Sequence, residues 1–168
     1  MSATYDVEWL IQDAWVQTLT SYRAATTLDA GVGIRHWTDV RTLPPMIYIM
    51  AHCTVDPLLT GNTHAPDCFN PATCEIGIFT ATVPDSSGEI ADRIRGLICH
   101  KIVPDTNFYT TFNSKLPSGY FYVGAFKPAG THDYNEDPHH WKIRYATFKL
   151  YGQFYPSGNY TGAQGPLH

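Results

Sequence analysis

Charged residues are scarce in this sequence of 168 residues, and basic runs are absent. Lys, Arg, Asp and Glu make up 15% of the chain, whereas about 25% is usual in globular proteins. The formal net charge is −4, so the sequence predicts no specific nucleic-acid binding. No apolar stretch approaches the roughly 20 residues that cross a bilayer as a helix, so we expect no membrane partner.

Signals for secretion and for disulfide bonding are also missing. The segment Met1–Asp6 lacks the basic stretch and apolar run of a signal peptide. We therefore expect a reducing compartment in which the cysteines are thiols, namely Cys53, Cys68, Cys74 and Cys99. A disulfide between Cys68 and Cys74 is the alternative in an oxidising setting.

Catalytic and cofactor motifs are absent. The chain has no G-x-S-x-G elbow, no P-loop and no dinucleotide-binding glycine pattern. Ser86, Ser87 and Gly88 precede a predicted helix and could hold an anion there. A capping box of Ser86 and Glu89 explains them better. We predict that the protein is not an enzyme and has no catalytic residue and no cofactor.

Metal-ligand spacings are absent too. Zinc sites usually contain close cysteine pairs, but here the nearest pair, Cys68 and Cys74, has no matching second pair. We predict no metal site. The alternative is a metal-binding module or small metal-dependent enzyme in the segment 132–140, which contains His132, Asp133, Glu136, Asp137, His139 and His140.

Aromatic residues, by contrast, are abundant, with 11 Tyr, 8 Phe and 4 Trp. Many aromatic residues and few charges are typical of protein–protein interfaces. They are equally consistent with an aromatic core under an uncharged surface.

Two amphipathic helices are predicted from apolar residues spaced three and four apart. The first spans residues 5–23, and Thr4 or Asp6 could cap its start. The second runs from the Ser86 cap to Val103, because Pro104 stops it.

Five strands are predicted, at Ile34–Val40, Met46–Ala51, Cys74–Val83, Tyr120–Phe126 and Trp141–Phe154. Long loops are expected at Asp56–Ala72, after Pro104, and at Lys127–His140. The last two strands then form a long C-terminal hairpin. Part of it is expected to leave the body of the domain, because the final strand is unusually long. The fold class is α+β: one domain, residues 1–155, with a mixed or antiparallel sheet of four to five strands packed by two helices. Residues 156–168 are expected to form a flexible tail.

This order of elements resembles the tail-terminator and tail-completion proteins of long-tailed bacteriophages. The stretches that carry the resemblance are Val7–Leu19, Leu43–Ile49, Ala72–Val83, Ser86–Ile94 and Trp141–Phe154. The resemblance implies a virion structural subunit that forms a ring, commonly a hexamer, at the head–tail junction. Such a ring ends the tail tube and joins it to the head connector, and DNA passes through its lumen.

The resemblance also implies partners and a location. The partners are further copies of the chain, the tail tube protein and the head connector or head-completion protein. The protein is expected in the virion neck or tail, and in the host cytoplasm during assembly. Another neck, tail-tube or baseplate station is the alternative. The assembly interface is placed on the hairpin, at His132, Asp133, Tyr134, His139, His140, Trp141 and Tyr145.

Overall fold

A computed structural model describes residues 7–25, 32–36, 47–54, 67–68, 72–80, 88–117, 121–136 and 141–154. The elements, in chain order, are α1 (Val7–Ala24), β1 (Val32–His36), β2 (Ile47–Thr54), β3 (Asp67–Cys68), β4 (Ala72–Thr80), α2 (Glu89–Leu97), α3 (Phe108–Ser114), β5 (Phe121–Glu136) and β6 (Trp141–Phe154). A π-helical segment, Ile98–Ile102, continues α2 directly. The predicted α+β class is confirmed.

The strands form one mixed sheet. β1 and β2 are parallel, and β2, β4 and β6 follow as antiparallel neighbours. β4 and β5 both pair with the same stretch of β6, so they lie on its opposite edges. The two-residue β3 pairs with the end of β6 on the side of β4. Five strands of five or more residues, plus β3, agree with the predicted sheet.

Helix α1 confirms the first amphipathic pattern. Its predicted stripe is buried at Ile11, Ala14, Trp15, Thr18 and Leu19. The proposed caps Thr4 and Asp6 lie outside the described residues. The indole of Trp15 lies among four phenylalanine rings, with ring centroids 4.8 to 5.9 Å away: Phe108, Phe112, Phe126 and Phe148. Much of the aromatic content thus forms a core between the helices and one face of the sheet.

The predicted capping box at α2 is wrong. The N-cap residue is Gly88, in a left-handed conformation with φ 77°, and it makes no side-chain cap bond. Glu89 is therefore the first helical residue instead of the third, and Ser86 lies outside the described residues. The helical backbone ends at Ile102, two residues before the predicted stop at Pro104. The last turn is π-helical, and the amide of Val103 donates to the Ile98 carbonyl.

A third helix, α3, lies in the segment predicted to be a loop after Pro104. It is only seven residues long. Its buried face consists of Phe108 and Phe112, four residues apart, and both pack on Trp15. Tertiary burial of these two rings stabilises a helix that is too short to be stable alone.

The predicted loop Lys127–His140 is wrong as far as Glu136, because β5 continues through it. The strand contains two bulges, one between Val123 and Ala125 and one between Pro128 and Gly130. The second bulge accommodates Pro128 and Gly130, which are typical of turns, within the strand. β6 does not leave the domain, because strands pair along both of its edges.

The predicted loop Asp56–Ala72 contains two strand segments: Asp67–Cys68 forms β3, and Ala72 begins β4. The predicted tail, 156–168, lies outside the described residues.

The strand register separates the two cysteines of the alternative disulfide. Cys68 faces Gln153, whereas Cys74 faces Phe148 on the same edge of β6. Five residues along a strand span about 17 Å. A disulfide needs Cα atoms within about 7 Å, so this pairing is wrong for the described fold.

Candidate functional site

The predicted interface residues lie on β5 and β6. His132, Asp133 and Tyr134 belong to β5, and Trp141 and Tyr145 belong to β6. The strand register places His132 opposite Tyr145, Tyr134 opposite Ile143, and Trp141 opposite Glu136. His139 and His140 lie outside the described residues. The structure therefore brings part of the predicted set together on two paired strands.

His132 lies on the face of the sheet that points away from the helices. Its imidazole stacks on the Tyr145 ring, with centroids 4.4 Å apart and planes 20° apart. Its Nε2 is 3.8 Å from Oε2 of Glu75 on β4. This group crosses β5, β6 and β4, so it positions His132 against the sheet surface.

Asp133 lies on the opposite face and contacts helix α2. Its Oδ1 accepts a hydrogen bond from Arg95 Nη1 at 2.7 Å. Arg95 also donates to Asp92 at 2.9 Å, and Arg144 Nε donates to the same Asp92 oxygen at 3.0 Å. Two carboxylates and two guanidinium groups thus form one network between α2 and the β5–β6 pair.

Arg144 is the buried member of this charge network, with only 5% of its surface exposed. Burying a charged group without partners costs several kcal/mol, so its ion pairs are structurally necessary. Arg144 Nε also lies 3.6 Å from Oδ1 of Asp133. Asp133 therefore has an intramolecular role in joining β5 to α2.

The outer edge of β5 is covered over its first half by side chains of α3. Asn113 Nδ2 donates to the Val123 carbonyl at 2.8 Å, and the Val123 amide donates to Asn113 Oδ1 at 2.7 Å. The Phe126 amide donates to the Tyr109 hydroxyl oxygen at 2.9 Å. These two side chains take the place of a neighbouring strand. The sequence analysis did not identify Tyr109 and Asn113, because it did not predict α3. Their only signal in the sequence is that two polar residues are spaced four apart.

In the described residues, the outer edge of β5 is covered up to Phe126 but not beyond Pro128. Backbone groups of alternate residues point to the same edge, so Pro128 shares the outward orientation of Phe126. The lack of an N–H at Pro128 therefore leaves no unpaired donor. Beyond the bulge at Gly130, the register with β6 is regular from Thr131 to Glu136. In the described part of the chain, no strand pairs with the outer edge of this stretch.

The other end of the sheet is β1, which pairs only with β2 among the described strands. Here His36 Nε2 lies 3.1 Å from Asp13 Oδ1 of α1. The Trp9 ring stacks on His36, with centroids 5.7 Å apart and planes 3° apart. Trp9 is 49% exposed, the most exposed large apolar side chain of the described residues. An exposed indole fixed in this way is typical of interface residues.

Three groups, Tyr22, Cys99 and Asp105, have pKa values clearly shifted from their ordinary values. Burial raises the pKa of the Cys99 thiol, and the nearby Arg95 only partly opposes this. A raised pKa keeps Cys99 protonated, which is the reverse of what a nucleophilic cysteine needs. Burial and the carboxylate of Asp105 raise the pKa of Tyr22, whose hydroxyl donates to Asp105 Oδ2 at 2.7 Å. This bond joins α1 to the turn before α3.

Among the described residues, no group of three or more His, Cys, Asp and Glu side chains could hold a metal ion. The metal-binding alternative also involves His139 and His140, which lie outside these residues, so it stays a prediction. None of the described helices is long and apolar enough to cross a membrane. No protein-family model matches the chain, and no curated protein matches it in sequence.

Proposed function

We propose that the protein is a non-enzymatic structural subunit of a long-tailed bacteriophage virion, at the head–tail junction. In this proposal it forms a ring, a hexamer, that ends the tail tube and joins it to the head connector. It acts through contacts with its own copies and with these two neighbours. The order of helices and strands supports the proposal through its resemblance to tail-terminator and tail-completion proteins.

The observation that carries the proposal is that the two ends of the sheet are different. In the described residues, the sheet ends at β1 on one side and at β5 on the other. When copies of a subunit join through two dissimilar ends, the contacts run head to tail, and such contacts generate a ring when the rotation closes. The scarcity of charge and the exposed Trp9 near β1 also favour protein contacts.

Light scattering after size exclusion, with negative-stain imaging of the same fractions, tests the proposal. We expect a ring with a central hole, and we expect purified tail tubes to bind it at one end. Binding along the whole tube or at the baseplate would instead favour one of the other tail stations. A strict monomer with no affinity for tubes or connectors would contradict the proposal.

A further inference from the structure

We propose that the outer edge of Thr131–Glu136 in β5 is a strand-addition site, and that β1 of a second copy occupies it. The inference deepens the proposed function and rests on it, because the occupant is another copy of the chain. An unpaired strand edge presents a row of amide and carbonyl groups that another strand can bind. The inference requires that this stretch be the unprotected part of the edge.

The first half of β5 is protected by three devices. Asn113 takes both backbone groups of Val123, and Tyr109 bonds to the backbone of Phe126. Pro128 then removes the next outward N–H, and a bulge follows before Gly130. Helix cover, proline and bulges are the means by which proteins prevent unwanted pairing at sheet edges. Strand addition at this half is therefore blocked.

The second half of β5 carries none of these devices in the described residues. The bulge skips one residue, so Gly130 faces β6 and Thr131 faces outward. The carbonyls of His132 and Tyr145 both lie near Arg95 Nη1, at 3.5 and 3.4 Å, which agrees with His132 facing β6. By alternation, Thr131, Asp133 and Asn135 then direct their backbone groups outward. The side chains of Thr131, His132 and Asp133 are exposed.

β1 fits this edge in orientation, length and charge. The Val32 carbonyl accepts a bond from Arg23 at 2.9 Å, so it points away from β2 but is already paired. By alternation, Ile34 and His36 present their backbone groups outward as well. β1 has 5 residues, close to the length of the open stretch, and carries Arg35 and His36. By sequence, the open stretch contains two acidic residues, Asp133 and Glu136, and no Lys or Arg, so Arg35 would meet no like charge there; Asp133 itself is paired with Arg95.

Substitutions at Thr131, and at Ala129 two residues earlier, test whether this edge of β5 binds a strand. Thr131→Pro removes an outward N–H that an added strand would need, and Thr131→Lys places a charge at the same position. Ala129→Lys is the matched control, because it adds the same exposed charge within the protected part. We expect self-association to weaken about fivefold or more in both Thr131 variants, since one lost hydrogen bond costs roughly 1 kcal/mol. Far-UV circular dichroism checks that each variant folds.

A mixing experiment identifies the occupant. Arg35→Glu reverses the charge on β1, and Lys149→Glu is the control on an exposed position of β6. At a concentration near the dissociation constant of the wild type, we expect the Arg35 and Thr131 variants to be mostly monomers alone but to form one-to-one dimers when mixed, because each keeps one intact edge. Dimers of the Arg35 variant alone would overturn the assignment of β1 as the occupant.

The outcomes separate this inference from the proposed function. If the wild-type protein forms rings and both Thr131 variants form them equally well, the edge assignment is wrong while the proposed function stands. If the wild-type protein is a monomer with no affinity for tubes, the proposed function fails first.

Discussion

The guanidinium group of Arg144 lies directly against the backbone of Gly88. A Cβ atom added at Gly88 would clash with Nη2 of Arg144 and would be 2.7 Å from its Cζ. Gly88 also has φ 77°, a conformation that other residues adopt only with strain. This glycine therefore allows both the turn into α2 and the close approach of a buried cation beneath the helix.

Gly88→Ala is expected to lower the free energy of unfolding by about 1–3 kcal/mol. The left-handed conformation alone costs about 1–2 kcal/mol for a residue with a Cβ, and Arg144 must also move. Urea unfolding followed by tryptophan fluorescence measures the change.

Gly96→Ala is the matched control for this prediction. Gly96 lies within α2, and nothing is within 4 Å of a Cβ added there. Alanine is favoured over glycine in a helix interior by about 0.5–1 kcal/mol, so this variant should be more stable than the wild type. Equal stability of the two variants would contradict the prediction, because neither the left-handed conformation nor the displacement of Arg144 would then cost stability.

Trp15→Ala should be the more damaging of two tryptophan substitutions. Trp15 is fully buried among four phenylalanine rings, and truncating such a residue costs about 3–5 kcal/mol. Trp9→Ala removes the same side chain from the exposed end of α1 and should cost less than about 1 kcal/mol. Thermal unfolding of both variants gives the comparison. A large loss at Trp9 would mean that its stacking on His36 stabilises the fold.

Periodicity in the sequence was enough to predict α1 and β4. The apolar stripe of α1 and the alternation of β4 both define faces that are buried in the structure, for example at Ile11 and Ile76. The same reasoning failed for α3, because Phe108 and Phe112 provide a single helical repeat. Only their packing on Trp15, far away in sequence, makes that segment a helix.

The candidate site was less predictable because long-range contacts build it. Arg144 and Asp92 are 52 residues apart, and no local pattern indicates that this arginine is buried. Pro128 and Gly130 are typical of loops, yet an edge strand accommodates both. The predicted interface residues His132 and Tyr145 lie opposite each other only because β5 extends through residues that were predicted to form a loop.

Asn113→Ala should both destabilise the protein and expose the protected half of β5. The substitution leaves the amide and carbonyl of Val123 without their side-chain partner, which costs about 1–3 kcal/mol for buried groups. An uncovered edge is also a template for aggregation, so turbidity on heating should rise. Asn113→Asp keeps the acceptor for the Val123 amide but places a carboxylate oxygen against the Val123 carbonyl, so it should also destabilise the protein. Turbidity equal to that of the wild type would contradict a role in edge protection.

Tyr22→Phe should change how stability depends on pH. The hydrogen bond from Tyr22 is the main cause that lowers the pKa of Asp105, whose ordinary value is 3.8. A carboxyl group with a lowered folded pKa stabilises the fold above its unfolded pKa, and this contribution is lost as pH falls through the folded pKa. The phenylalanine variant should therefore be less stable than the wild type at neutral pH. The difference between them should shrink as pH falls below about 3.8.

At alkaline pH, the stability difference between the wild type and Tyr22→Phe should shrink as pH rises, which is the reverse of the acidic side. The pKa of Tyr22 is raised above its ordinary value of 10.0, so its contribution is present below pH 10 and is lost as pH rises further. Urea unfolding from pH 2 to 11 measures both limbs. Tyr109→Phe is the control, because the Tyr109 hydroxyl bonds to the backbone of Phe126 and not to a carboxylate. The difference in free energy of unfolding between Tyr109→Phe and the wild type should stay constant between pH 5 and pH 2. If this difference declined in parallel for both variants, Asp105 would not be the titrating group.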